Sequence, residues 1–157
     1  MRVDMTFHRT GPSFTQIGDK ASAMLDIAVR KSTLSVERRA KVAIQTGAKT
    51  GTVYRVQSGF KRSSSGGSVQ YVRSYKSHQA SAPGEAPATD TGNLVNSISN
   101  RHVKLWEGEV RVSADYSYVL EFGGVHMAPR PFMAPAVADE FPEFVGACNS
   151  AMRQAAS

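Results

Sequence analysis

The chain is predicted to adopt an α+β fold: a small antiparallel β-sheet packed against a long N-terminal helix and a C-terminal helix, with a protruding basic β-hairpin. Three observations predict it. An apolar stripe at helical spacing runs through residues 13–46, and a second follows Pro135. Between them, alternating apolar and polar residues on both sides of short Gly-containing breaks read as two antiparallel hairpins. At 157 residues the chain fits a single domain over 1–157, and a hydrophobic content of 41% supports a modest core.

Taken in order, residues 1–12 are expected to be a flexible N-terminus closed by Gly11 and Pro12. In the first helix Ile17, Ala21, Leu25, Ala28 and Val29 form one stripe, which Val36, Ala40, Ala43 and Ile44 continue. Ser13 is suited to cap its start and Gly47 to stop it, while Gly18 and the β-branched Thr33 leave room for a kink. Arg30, Lys31, Arg38, Arg39 and Lys41 fall on the polar side. They form either a solvated face or a surface for phosphates or an acidic partner.

Residues 52–76 read as a long β-hairpin, with Thr52 to Gln57 and Val69 to Tyr75 as its arms and Ser63 to Ser68 as a flexible tip. Arg55, Lys61, Arg62, Arg73 and Lys76 lie along it, interleaved with Tyr54, Tyr71 and Tyr75. Such alternation fits cross-strand packing on a solvated hairpin, and it also occurs where nucleic-acid bases stack on rings.

Residues 77–90 form an extended arm stiffened by Pro83 and Pro87. It feeds a short helix in which Asp90 or Thr91 is the expected cap and Leu94 and Ile98 share a face. Residues 101–106 and 109–114 then pair around Glu107-Gly108, placing Trp106 near the turn, where it caps the core or forms an exposed contact. Tyr116 to Gly124 is dense in aromatics. Read as extended chain, it turns Leu120 and Phe122 into the core and Glu121 the other way. The C-terminal helix begins near Phe132 or Pro135 and ends near Gln154, with Pro142 expected to kink or restart it. Phe141, Val145, Cys148 and Met152 make its apolar face.

Charge divides the chain. Residues 1–80 carry fourteen Lys and Arg against four Asp and Glu, whereas the remainder carries five against nine. A bipolar chain suggests a basic surface facing nucleic acid or complementary surfaces that stack on one another. The single cysteine, Cys148, excludes an internal disulfide framework. No apolar run approaches the roughly 20 residues needed to cross a bilayer, and the N-terminus lacks a signal-peptide core. A soluble protein made in a cytoplasm, with no membrane contact, is expected.

Catalytic and metal-binding patterns are not apparent. His8, His78, His102 and His126 stand apart, without paired metal-ligand spacing, and no nucleophile elbow or phosphate-cradling glycine loop occurs. The expectation is a protein that is not an enzyme, with no catalytic residues, cofactor or metal.

Three strings carry a family resemblance: Ala82-Pro-Gly-Glu-Ala-Pro leading to Asp90-Thr-Gly-Asn-Leu-Val-Asn-Ser-Ile, then Tyr116-Ser-Tyr-Val-Leu-Glu-Phe-Gly-Gly, then Arg130-Pro-Phe-Met-Ala-Pro-Ala. In this order the chain resembles the head–tail joining proteins of long-tailed bacteriophages, also called neck or tail-completion proteins. The resemblance implies a structural virion protein forming a ring, expected to be a hexamer, around the DNA channel at the head–tail junction. Its implied partners are head-completion, stopper or adaptor proteins on one side and a tail terminator or tail tube on the other. Non-specific contact with phage DNA in the lumen is implied as well. Its place is the virion, and the host cytoplasm during assembly. Pro83, Pro87, Glu121 and Trp106 become candidates for subunit contacts, and Arg55, Lys61, Arg62, Arg73 and Lys76 for the DNA channel or for docking. A tail-terminator ring is the alternative within that class, and a small basic nucleic-acid-binding protein is the alternative from another.

Overall fold

The computed structural model describes residues 13–65 and 68–156. It is mixed α+β, with a long N-terminal helix, small antiparallel sheets and a C-terminal helix. The lead-in expected over 1–12 and the hairpin tip at Gly66-Gly67 lie outside the described residues.

Helix α1 spans Phe14–Thr46 without a break. Its start is a capping box: the Ser13 hydroxyl accepts the Gln16 N–H and the Gln16 side chain accepts the Ser13 N–H. Gly47 closes it, donating its N–H to the Ala43 carbonyl. The helix runs unbroken through Thr33, whose hydroxyl donates to the Arg30 carbonyl within it. Thirty-three residues make a rod about 50 Å long, and most of the stability of such a helix in a protein comes from the packing of its apolar face.

Strands β1 (Val53–Ser65) and β2 (Ser68–Gln79) form one antiparallel pair, longer than the sequence suggested. Strands β3 (Ile98–Lys104) and β4 (Glu107–Val112) form another. The two pairs are separate two-stranded sheets: β3–β4 is the small sheet against the helices, and β1–β2 is the protruding hairpin. The β3–β4 turn falls at Leu105-Trp106, two residues earlier than Glu107-Gly108. Gly108 is instead a packing site: a Cβ there would stand 2.6 Å from Thr33 Cγ2, so only glycine lets β4 lie this close to α1.

Between the sheets, α2 (Asn93–Ser97) is a single turn. Its cap is Gly92, with φ of 79°, and neither Asp90 nor Thr91 bonds its N-terminus. The left-handed backbone at Gly92 takes the position that a side-chain cap was expected to fill. Tyr116 to Gly124 is not extended either, because α3 occupies Ser117–Phe122. Helix α4 spans Met133–Ala156 and passes through Pro142, which is exposed. On that side water can take the carbonyl bond that proline leaves unmade.

Helices α1 and α4 run antiparallel: Glu140 meets Ser35 and Arg39, while Phe144 lies beside Val29 and Thr33. Their contact is lined by small residues, Ala28 and Ala40 on α1 and Ala136, Ala151 and Ala155 on α4. The core proper gathers Val36, Ala40 and Ile44 of α1, Leu94, Val95 and Ile98, and Phe132 and Ala136. It sits at one end of the rod. The face expected to be buried on α4 is largely turned outward, with Phe141, Val145 and Met152 exposed and Cys148 half-buried.

Candidate functional site

Two surfaces stand out, and each is built by the fold rather than by one motif. The first is the β1–β2 hairpin. At its base Gly51 N–H donates to the Ala80 carbonyl and Ala80 N–H to the Thr52 carbonyl. Beyond that the two strands bond chiefly to each other. A two-stranded ribbon with no third strand or covering helix is marginal in water. Arg55, Lys61, Arg62, Arg73 and Lys76 are all exposed on it, and none of them forms an ion pair among the described residues.

The register sorts these cations by face. Phe60 pairs with Arg73, Arg62 with Tyr71, Gln57 with Tyr75 and Arg55 with Ser77, while Lys61 pairs with Val72. A bulge at Ser58 keeps the alternation in step, and its hydroxyl meets that of Ser74 on the opposite face. Since residues opposite one another share a face, Arg55, Arg62 and Arg73 lie with Phe60, Tyr71 and Tyr75. Lys61 and Lys76 lie on the other face with Tyr54 and His78, whose rings touch with centroids 5.4 Å apart.

The cations of α1 are different. Arg30 bonds Asp26, Lys41 bonds Glu37, and Arg39 bridges to Glu140 at 3.1 Å and Glu143 at 2.6 Å across the helix pair. Glu143 foremost, with Glu140, raises the Arg39 pKa. Three of the five residues read as a basic face are therefore neutralised within the chain, leaving Lys31 and Arg38.

The second surface is a groove of about 820 Å³ between β4, α3 and the first turns of α4. Phe132 forms part of its floor, and Tyr118, Phe122, Val137 and Phe141 stand on its walls. Phe122 is 66% exposed and Phe141 63%, and the Tyr118 and Phe122 rings lie 4.8 Å apart. Contiguous exposed hydrophobic side chains of this size are characteristic of interaction surfaces.

The residues expected at subunit contacts fall into different places. Glu121 is buried and committed to its own chain. One oxygen accepts the N–H groups of Phe132 and Met133 at 2.9 and 3.0 Å, and the other accepts that of Ala134 at 2.7 Å. It thus caps α4 from a remote position, supplying the partner and the negative charge that a helix N-terminus needs. Pro87 is buried in its own domain, while Pro83 is exposed. Their arm is tied down as well: Glu85 accepts from Thr50 and from Ala82 N–H, and Arg130 donates to the Ser81 carbonyl. Those bonds, led by the Thr50 hydroxyl, lower the Glu85 pKa.

Trp106 is half-exposed, with φ of 62°, a backbone state uncommon for a bulky residue. It is held there by Asp26, which accepts its backbone N–H at 3.0 Å, and by the Ser22 carbonyl, which accepts its indole N–H at 3.1 Å. Asp26 also meets His102 at 2.7 Å and Arg30 at 2.8 Å. The sequence offered one trace of this cluster, the four-residue spacing of Asp26 and Arg30. The Trp106 N–H, then His102, then Arg30 hold the Asp26 pKa down to about 2, against the opposing effect of burial.

The sign of its pH effect follows. A carboxyl whose pKa is lower folded than unfolded stabilises the fold fully above the unfolded value, 3.8, and loses that stabilisation as pH falls toward 2. Thermal unfolding followed by circular dichroism is expected to show a melting temperature that drops between pH 4 and pH 2. In Asp26→Asn the drop should be shallower, starting from a lower plateau.

Among the described residues no group of three or more His, Cys, Asp or Glu is placed to hold a metal ion. No described helix is long and apolar enough to cross a membrane. No family model matches the chain, and no curated protein or solved structure matches it significantly.

Proposed function

We propose that the chain is a structural, non-enzymatic subunit of a phage virion. In this reading it assembles as a ring, six-fold in the first instance, at the head–tail junction around the DNA channel. The observation that carries this reading is the contiguous apolar groove of α3, α4 and β4, which none of the described residues of the chain covers. Self-association through the groove covers Phe122, Val137 and Phe141 and leaves the hairpin to reach beyond the subunit. The ordered strings over 82–87, 90–98, 116–124 and 130–136 supply the virion context.

Light scattering and negative-stain microscopy of the full chain, alone and with neck or tail proteins, test the proposal. Rings are expected, and the double variant V137E/F141E should reduce them to monomers with an unchanged helical signal. A wild-type chain that remains monomeric under all these conditions overturns it. Within the class, gene disruption that leaves full heads and normal tails unjoined marks a neck protein, whereas overlong tails mark a terminator.

A further inference from the structure

We propose that one face of the β1–β2 hairpin is a binding site for single-stranded nucleic acid, with bases stacked on Phe60, Tyr71 and Tyr75 and phosphates held by Arg55, Arg62 and Arg73. This does not rest on the ring reading, because each hairpin carries the whole face itself.

Four observations lead to it. Between Val53 and Gln79 there is no Asp or Glu, so the hairpin's five cations have no local counter-charge. The strand register then segregates them, arginines with three aromatics on one face and lysines on the other. Tyr71 is 72% exposed, Phe60 63% and Tyr75 52%, so these rings do not pack as a core. Successive residues on one face of a strand lie about 6.8 Å apart, comparable with the backbone repeat of an unstacked strand of nucleotides. Planar guanidinium groups serve both as phosphate forks and as stacking partners, which lysine cannot match.

A second copy of this chain is a poorer occupant. The face would need free acids, but Asp26, Glu37, Glu85, Asp90, Glu107, Glu109, Glu121, Glu140 and Glu143 already have partners within the chain. Among the described residues the other acids, Asp19, Asp115 and Asp139, form no ion pair and are scattered over α1, a loop and α4. Duplex DNA satisfies the arginines and leaves the rings without stacking partners, because its bases are already stacked.

The test uses the full chain and a fluorescein-labelled mixed-sequence 20-nucleotide DNA, single-stranded or annealed to its complement, read by fluorescence anisotropy. The single strand should bind more tightly. Neutralising three phosphates predicts a loss of about 20-fold between 50 and 200 mM salt. R55Q/R62Q/R73Q should abolish binding, and K61Q/K76Q should change it by less than threefold. Tyr71→Ala and Tyr75→Ala should each weaken single-strand binding about tenfold while leaving duplex binding unchanged. All are hairpin surface positions, so an unchanged helical signal serves as the folding control. Equal or tighter duplex binding, or tyrosine variants without effect, overturns the proposal in favour of a general basic patch. No binding, with self-association lost in the triple arginine variant, overturns it in favour of a protein contact. Monomers that bind the single strand would refute the ring alone, and rings that do not bind it would refute this site alone.

Discussion

Glu121→Ala is expected to lower the melting temperature by about 6–12 °C. The carboxylate is buried and accepts three backbone N–H groups at the start of α4. Hydrogen bonds to an ionised group contribute roughly 1.5–3 kcal/mol each, and donors left buried without a partner carry their own penalty. Because α4 can shift its first turn toward water, the net loss is taken as about 3 kcal/mol rather than the full sum. For a chain of this size each kcal/mol moves the midpoint about 2–4 °C. Glu121→Gln retains one accepting oxygen and should lose about half as much. Thermal unfolding at neutral pH measures both. A shift below 2 °C, accompanied by altered oligomerisation, would mean that Glu121 serves a subunit contact after all.

Phe132→Ala should have the larger effect, a loss of about 3–5 kcal/mol. Phe132 is 1% exposed and joins the α1 residues Val36, Ala40 and Ile44 to Leu94, Val95 and Ile98. Among the described residues it is one of three large side chains that are completely buried, so the small core has little else with which to fill the space. Since domains of ordinary size are stable by only about 5–15 kcal/mol, the variant stands near the limit of folding. Urea unfolding checks it, with Phe132→Leu as a milder companion. A midpoint unchanged within error would show that the core lies elsewhere. The two sites are coupled, because Glu121 accepts the Phe132 N–H, so the double variant should lose less than the sum of the single losses.

Much of the fold was legible wherever one period ran long enough. The α1 stripe, with its serine cap and glycine stop, matched the structure closely. The two hairpins were visible as alternation, although the turn of the second moved to Leu105-Trp106. Six residues were too few to separate α3 from a strand, and reading them as extended sent Glu121 away from Phe122 and toward a neighbour. In a helix the same residue turns back to the start of α4. Of the two outcomes expected at Pro142, a kink or a fresh start, the fresh start does not occur: on a solvent-facing side of a helix held by packing, a proline can be accommodated within one helical run.

The α4 face shows most clearly where the sequence runs out. Its large residues, Phe141, Val145 and Met152, mark an apolar stripe, but the side that α1 covers is built of Ala136, Ala151 and Ala155 around Glu140. Hydrophobicity alone ranks phenylalanine above alanine for burial. Two helices that approach closely along their length have room only for small residues, and the large ones are displaced toward the groove.

Local pattern therefore determined the two long helices, the two hairpins and the separation of charge along the chain. Tertiary structure decided which cations remain unpaired, which apolar residues face outward, and that Glu121 and Asp26 serve the fold itself. The physical reason is the range of the forces involved. Helix and strand periods and caps are set by neighbours a few residues apart, whereas ion pairs such as Arg39–Glu140 and the close passage of Gly108 over Thr33 join residues distant in sequence. Those contacts exist only once the elements have packed.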